Sequence, residues 1–184
     1  REPEDMPMYP FLRLMIEFLA VRRMPPLPLT GTHVSTHTCL PWDLDPWREL
    51  NNGRTLTLYD LGRVPMALRT GLVRVMGPNG WGLTVAGNIC RYRRRVRMFD
   101  RITIVSRCLG WDARFLYMEQ SMWKGAECTS QMVLRSAVTS KDGIVPPARV
   151  LEALGEPVES PVLPDWVQAW IAAEAARPWP PQGA

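Results

Sequence analysis

Apolar side chains recur along this chain with two periods, and the switch between them divides it. Residues 8–21 (MYPFLRLMIEFLAV) are apolar at helical spacing, interrupted by Arg13 and Glu17, and predict an N-terminal helix. Met24-Pro25-Pro26-Leu27-Pro28 predicts an extended spacer. Residues 32–40 (THVSTHTCL) are rich in threonine and β-branched side chains and predict a first strand, ended by Pro41. In residues 51–73, Leu61, Val64, Leu68 and Leu72 build one apolar face, so a long helix is expected, capped by Asn51 or Asn52. Gly62 and Pro65 lie inside it and are expected to bend or interrupt it. Gly77-Pro78-Asn79-Gly80 predicts a turn.

From Trp81 to Val138 the period becomes two. Leu83, Val85, Gly87 and Ile89 alternate with Thr84, Ala86 and Asn88, and Ile102 and Ile104 flank Thr103. Residues 114–123 and 128–138 are long enough for two more strands. The breaks at Met98-Phe99-Asp100, Gly110-Trp111-Asp112 and Lys124-Gly125-Ala126 are short, so neighbouring strands should run antiparallel. After Lys141-Asp142-Gly143 the chain turns proline-rich, and residues 147–154 and 164–176 predict two helices that open on proline. The sum is α+β, in three stretches: 1–31 (helix and spacer), 32–143 (the sheet-forming domain) and 144–184 (a helical extension).

Composition narrows the function. With 22 basic and 18 acidic residues in 184, the net charge is +4, too modest to mark a nucleic-acid binder, and no nucleic-acid motif is present. No apolar run reaches the roughly 18 residues a membrane span needs, so no transmembrane segment is expected. Residues 8–21 also lack the layout of a signal peptide. Cys39, Cys90, Cys108 and Cys128 lie far apart without a C-x-x-C pair and predict reduced thiols in a cytoplasmic protein. His33 and His37, four apart on a strand, are too distant to share a metal, and no metal site is expected.

Candidate chemistry concentrates in Trp42-Asp43-Leu44-Asp45-Pro46-Trp47-Arg48-Glu49-Leu50-Asn51-Asn52-Gly53, just before the long helix. Unpaired N–H groups at a helix start attract negative charge. A carboxylate beside them suits attack on a carbonyl, with the N–H groups of residues 51–54 as donors to the developing oxyanion. Asp45 is the candidate base or nucleophile, with helix or loop capping the alternative. Glu49 either acts as a second carboxylate or faces solvent beside Arg48. Asn51 and Asn52 either orient the site or cap the helix. Asp60 and Arg63, three apart, predict an intrahelical ion pair. Arg91, Arg93, Arg94, Arg95, Arg97 and Arg101 form the densest basic run; on a strand, Arg91, Arg93, Arg95 and Arg97 would share a face. Three readings stand: a solvated edge, a clamp for phosphates or an acidic carrier protein, and nucleic-acid backbone binding, the last ranked lowest.

Asp45 to Asn52, with Tyr59-Asp60-Leu61-Gly62-Arg63 downstream, resembles the hotdog-fold thioesterases, especially the 4-hydroxybenzoyl-CoA thioesterase-like and acyl-CoA thioesterase group. Many of those carry Asp-x-Asn-x-His-x-Asn-Asn before a central helix. Asp45, Asn51 and Asn52 fit, while Trp47 stands for the middle asparagine and Glu49 for the histidine. The resemblance implies an antiparallel sheet wrapped around a long central helix, here with extra helices at both ends. It implies hydrolysis of an acyl-CoA or acyl-carrier-protein thioester by Asp45, Glu49, Asn51 and Asn52. Arg91, Arg93 and Arg95 would meet the phosphates of coenzyme A, and no cofactor beyond that part of the substrate would be needed. It further implies a homodimer or higher assembly. The alternative is a hotdog protein that binds an acyl group or a partner without turnover.

Overall fold

The structure is a computed structural model that describes residues 9–181. Its elements are helix α1 (Phe11–Val21), strand β1 (Thr32–Thr38), a 3-10 turn (Pro41–Asp43), helices α2 (Asn52–Arg69) and α3 (Leu72–Asn79), strands β2 (Gly82–Tyr92), β3 (Arg101–Trp111), β4 (Leu116–Lys124), β5 (Glu127–Ser140) and β6 (Gly143–Val145), and helices α4 (Pro147–Leu154) and α5 (Asp165–Ala176). The main sheet is antiparallel in the order β1-β3-β4-β5-β2, with β6 on the far end of β5. The sheet curls around α2 as a hotdog fold, the α+β arrangement expected from the sequence.

Alternation explains which face the sheet turns to α2. Ile102, Ile104, Met122, Met132, Leu134 and Val138 point inward and bury against Leu58, Leu61 and Met66 of α2. On the opposite face, Tyr117 and Val133 pack under Val167 and Trp170 of α5. Trp111 fastens the stretch leading to α5, its backbone N–H donating to Ser160 Oγ at 2.8 Å and its indole N–H to the Val158 carbonyl at 2.9 Å.

The long helix differs from expectation in three ways. It does not run through residue 73: Gly71, in the left-handed region at φ 75°, separates α2 from α3. Gly62 does not interrupt α2. It is where the helix meets β3, since a Cβ there would sit 2.6 Å from Ser106 Oγ and 2.8 Å from Ile104 Cγ2. Pro65 is also carried inside an unbroken helix, buried on the sheet side. Gly77–Asn79 closes α3 instead of forming a free turn, and Gly80 ends it in the left-handed conformation. Two strand limits also shift. The first strand stops at Thr38, and β3 continues through Gly110 and Trp111 past an irregularity in its register with β4.

Most polar residues around α2 are paired, whereas His33 Nε2, Arg135 Nε, Ser136 Oγ and the Trp170 indole nitrogen are buried without a hydrogen-bond partner. Asp60 and Arg63 form the expected ion pair, and Arg63 also donates to Gln120 Oε1 at 3.0 Å. Gln120 in turn donates to the Tyr59 carbonyl and to Ser106 Oγ, both at 2.8 Å. His33 Nδ1 lies 3.0 Å from an Arg69 guanidinium nitrogen, so it accepts, and His37 Nε2 lies 2.9 Å from Ser35 Oγ. Burial, reinforced by Arg69 for His33 and by Arg13 for His37, pushes both imidazoles down to about 4. They are neutral structural histidines at pH 7. The four thiols are unpaired, and burial pushes Cys39 up to about 11 and Cys108 up to about 12, which leaves both unreactive. Among the described residues, no helix is long and apolar enough to cross a membrane.

Candidate active site

Pro41 begins a short 3-10 turn, and Asp43 ends it with a fully buried carboxylate. Two residues later the backbone has reversed direction. The Asp45 N–H donates to the Glu49 carbonyl at 2.8 Å, and the Arg48 N–H donates to the Asp45 carbonyl at 3.0 Å. Closing so tight a turn places Arg48 in the left-handed region at φ 61°, an uncommon position for a residue other than glycine. Asp45 is half-buried, and its Oδ1 accepts the Trp47 N–H at 2.9 Å and the Glu49 N–H at 3.2 Å. Those two donors fix the carboxylate's position at the wall of a cleft.

Asn51 is the cap of α2. Its Oδ1 accepts the N–H groups of Gly53 at 2.8 Å and Arg54 at 3.1 Å, while its own N–H donates to the Asp43 carbonyl at 2.9 Å. Asn52 Oδ1 lies 2.9 Å from the Gly53 nitrogen. The Asn51 side chain and backbone thus engage most donors of the 51–54 stretch, and the Asn52 N–H is the one these contacts leave aside.

Opposite this acidic wall runs a cationic one. β2 ends at Tyr92, so Arg93 to Arg97 leave the sheet and do not share a strand face as expected. The ladder bends away where the Arg93 and Arg94 N–H groups both turn to the Thr129 carbonyl, at 2.8 and 3.1 Å. The two walls join at three points. Leu50 N–H donates to the Val96 carbonyl at 2.8 Å, Glu49 bridges Arg97 through the backbone, and the Glu49 carboxylate meets Arg95 Nε at 3.0 Å. Arg94 pairs with Glu127 at 2.5 Å and Lys124 with Asp100 at 2.9 Å. Among the described residues, the exposed guanidiniums of Arg93 and Arg97 have no acceptor within hydrogen-bond reach.

Between the walls lies an open cleft of about 840 Å³, with Asp45, Glu49, Asn51 and Asn52 on one side, Arg93, Arg95 and Arg97 on the other, and Val96, Met122 and Ser130 among the deeper lining residues. The buried Tyr59 hydroxyl sits 2.9 Å from Ser130 Oγ beneath it. The fold therefore brings all four predicted loop residues into one cleft, together with Arg93 and Arg95. Arg91, still on β2, lines a separate groove with Cys90, Gln131 and Trp166. Arg97, a member of the same basic run, also borders the cleft, as does Lys124, which the sequence places only at a break between strands. Glu49 turns to Arg95 instead of lying free beside Arg48. Asp43 also received no role from the sequence, although Pro41 followed by an acid two positions on is a helix-start signal.

The sheet order, the buried central helix and a polar cleft at that helix's N-terminus define a hotdog protein with an acid-and-cation site. Residues 39–171 match the model of the thioesterase-like superfamily, and the chain belongs to that superfamily. It is 31% identical over 165 residues to Protein THEM6 of Xenopus laevis, a match covering 88% of this chain and 78% of that one. Among solved structures it is similar to YbaW of Escherichia coli, a probable thioesterase, with a TM-score of 0.63 at 16% identity over 69% of this chain and 99% of the other. Slr0204 of Synechocystis, a 1,4-dihydroxy-2-naphthoyl-CoA thioesterase, gives a TM-score of 0.58 at 9% identity over 67% and 95%. At these identities the two structures show the shared fold.

Proposed function

We propose that this chain hydrolyses the thioester of an acyl-CoA or acyl-carrier-protein substrate in the cleft before α2. The observation that carries the proposal is the convergence of Asp45, Glu49, Asn51, Asn52, Arg93 and Arg95 on that one cleft. Asp45 either draws a proton from water or attacks the carbonyl carbon itself to form a transient anhydride. Its two backbone donors hold the carboxylate in one place, which is what either step requires. The Asn52 N–H, at the positive end of α2, is the donor best placed in sequence to meet the developing oxyanion. Arg93 and Arg97, whose guanidiniums have no hydrogen-bonded acceptor among the described residues, offer charge to the phosphates of coenzyme A or to an acidic carrier protein, with Arg95 available if Glu49 releases it. Coenzyme A enters as part of the substrate, and no cofactor or metal is invoked.

The sheet edge supports a homodimer. Among the described residues β2 pairs only with β5, and it is exposed along nearly its whole length, with Leu83, Val85 and Ile89 partly open. An uncovered apolar edge strand of this length is a template for pairing with a second copy. The unpaired thiols support a reducing, cytoplasmic setting.

The test is release of free thiol from a panel of acyl-CoAs of different chain length, by the wild type and by Asp45→Asn. Turnover in the wild type with a loss of about 10³-fold in kcat in the variant is expected; equal turnover in both would overturn Asp45 as the catalyst. A second reading, binding without turnover, has its own support, since Glu49 stands where the related motif has histidine and is occupied by Arg95. Saturable acyl-CoA binding without thiol release would favour it.

A further inference from the structure

Asp43 and Asp45 are two residues apart and face opposite ways. Asp45 opens on the cleft, whereas Asp43 is completely buried and engaged on both oxygens. Its Oδ2 accepts from an Arg13 guanidinium nitrogen of α1 at 2.9 Å and from the Leu40 N–H at 2.9 Å. Its Oδ1 accepts from Arg54 of α2, at 3.2 Å from Nε and 2.8 Å from the terminal nitrogen. Its backbone carbonyl takes the N–H of Asn51, the α2 cap. One residue thus ties together the end of β1, the N-terminal helix and the first turn of α2, and the Asp45 turn is strung between its carbonyl and that cap.

A buried carboxylate with two guanidiniums is a costly way to fill space, because an apolar side chain of similar volume packs there at least as well. What charged pairs supply is direction: the fork geometry of arginine fixes the orientation of its partner. The attachment of α1 follows the same logic. Phe11, Leu12, Met15, Ile16 and Leu19 are all more than half exposed, and only Val21 of the helix is buried. Beside Val21 and the partly buried Leu14, which packs on the core, polar contacts hold it, with Arg13 on Asp43 and on the Thr38 carbonyl at 2.5 Å, and Tyr9 just before the helix on Asp60 at 3.2 Å.

We infer that Asp43 is the positioning residue of this site, holding the Asp45 turn and the α2 start in register through Arg54 and Arg13, so that α1 belongs to the active site without touching substrate. The kinetic part of this inference rests on the thioesterase reading; the structural part does not. The test is therefore hydrogen exchange of the Trp47, Glu49 and Asn51 amides in the full chain, alongside kcat and KM for the acyl-CoA that the wild type turns over best. Asp43→Asn removes the charge, and Arg13→Met, which leaves the Asp43–Arg54 pair in place, serves if Asp43→Asn does not fold. In the folded variant those amides should exchange about tenfold faster or more while β4 and β5 amides keep their protection. kcat should fall by roughly 10- to 100-fold with KM nearly unchanged, because misplacement of a reacting group acts on the transition state. Arg13→Lys should recover only part of kcat, since an ammonium has no fork. Unchanged amide exchange in both variants would overturn the inference, as would unchanged kcat in an active enzyme. If the wild type hydrolyses none of the panel, the thioesterase reading fails, and the exchange data still decide whether Asp43 holds the loop.

Discussion

The two walls of the cleft are built differently. The acidic wall is a five-residue turn closed by its own backbone, with Asp45 held by two N–H donors and the turn anchored at both ends by Asp43. The cationic wall, residues 93–97, is an irregular arm leaving β2, joined to its opposite by one backbone hydrogen bond, one bridge and one ion pair. The first wall holds a group in place, and the second presents exposed charge, with the guanidiniums of Arg93 and Arg97 hydrogen-bonded to no acceptor among the described residues. That division suits a reaction in which chemistry needs a fixed carboxylate while a large, charged carrier must arrive and leave.

The comparison can be broken from its strong side first. Asp45→Asn should leave the fold intact and abolish most of kcat, the loss of about 10³-fold given above, with KM little changed; a KM effect instead would move Asp45 to the binding wall. On the other wall, the double variant Arg93→Ala and Arg97→Ala should raise KM for acyl-CoA about tenfold with kcat held, and should flatten the rise of KM with added salt, because both guanidiniums are exposed and screened. A fall in kcat alone would mean that the arm shapes the reacting geometry as well.

A further measurement separates the site from the framework that carries it. His33 and His37 have folded pKa values pushed down to about 4 by burial, against about 6.5 in the unfolded chain. The unfolded state therefore binds more protons between these values, and the stability of the neutral pair, complete above pH 6.5, is lost as pH falls toward 4. Denaturant midpoints should decline through that window, and replacing both histidines should flatten the decline. The smallest effect is expected at the link between the walls. Glu49→Gln loosens Arg95, but that guanidinium is largely exposed and such a pair contributes about 1 kcal/mol at most, so kcat/KM should change by less than about fivefold. A larger loss would give Glu49 a direct part in the reaction.

Much of the fold was readable because burial writes itself as periodicity. Ile102 and Ile104 alternate on β3, Leu61 repeats at helical spacing on α2, and Asn51 caps that helix as its side-chain chemistry allows. Gly62 misled for a physical reason: glycine breaks an exposed helix, but here its missing Cβ is what lets α2 approach Ser106 and Ile104. The acidic wall was readable as a motif since all its members lie within eight residues of one another. The cationic wall was not, because nothing local in Arg91–Arg97 shows that the Thr129 carbonyl draws the chain off the strand after Tyr92.

The sequence by itself determined the α+β class, the order of elements and the loop where acids gather, since these follow from residue spacing and local propensity. Only the tertiary structure decided that Asp43 points inward and Asp45 outward, that Glu49 is taken by Arg95, and that Arg93 and Arg97 face the cleft while Arg91 does not. Those outcomes depend on partners 11 to 46 residues away along the chain, Arg54 for Asp43 and Arg95 for Glu49. A charge takes its role from the partner the fold supplies, and that partner has no signature at the residue itself.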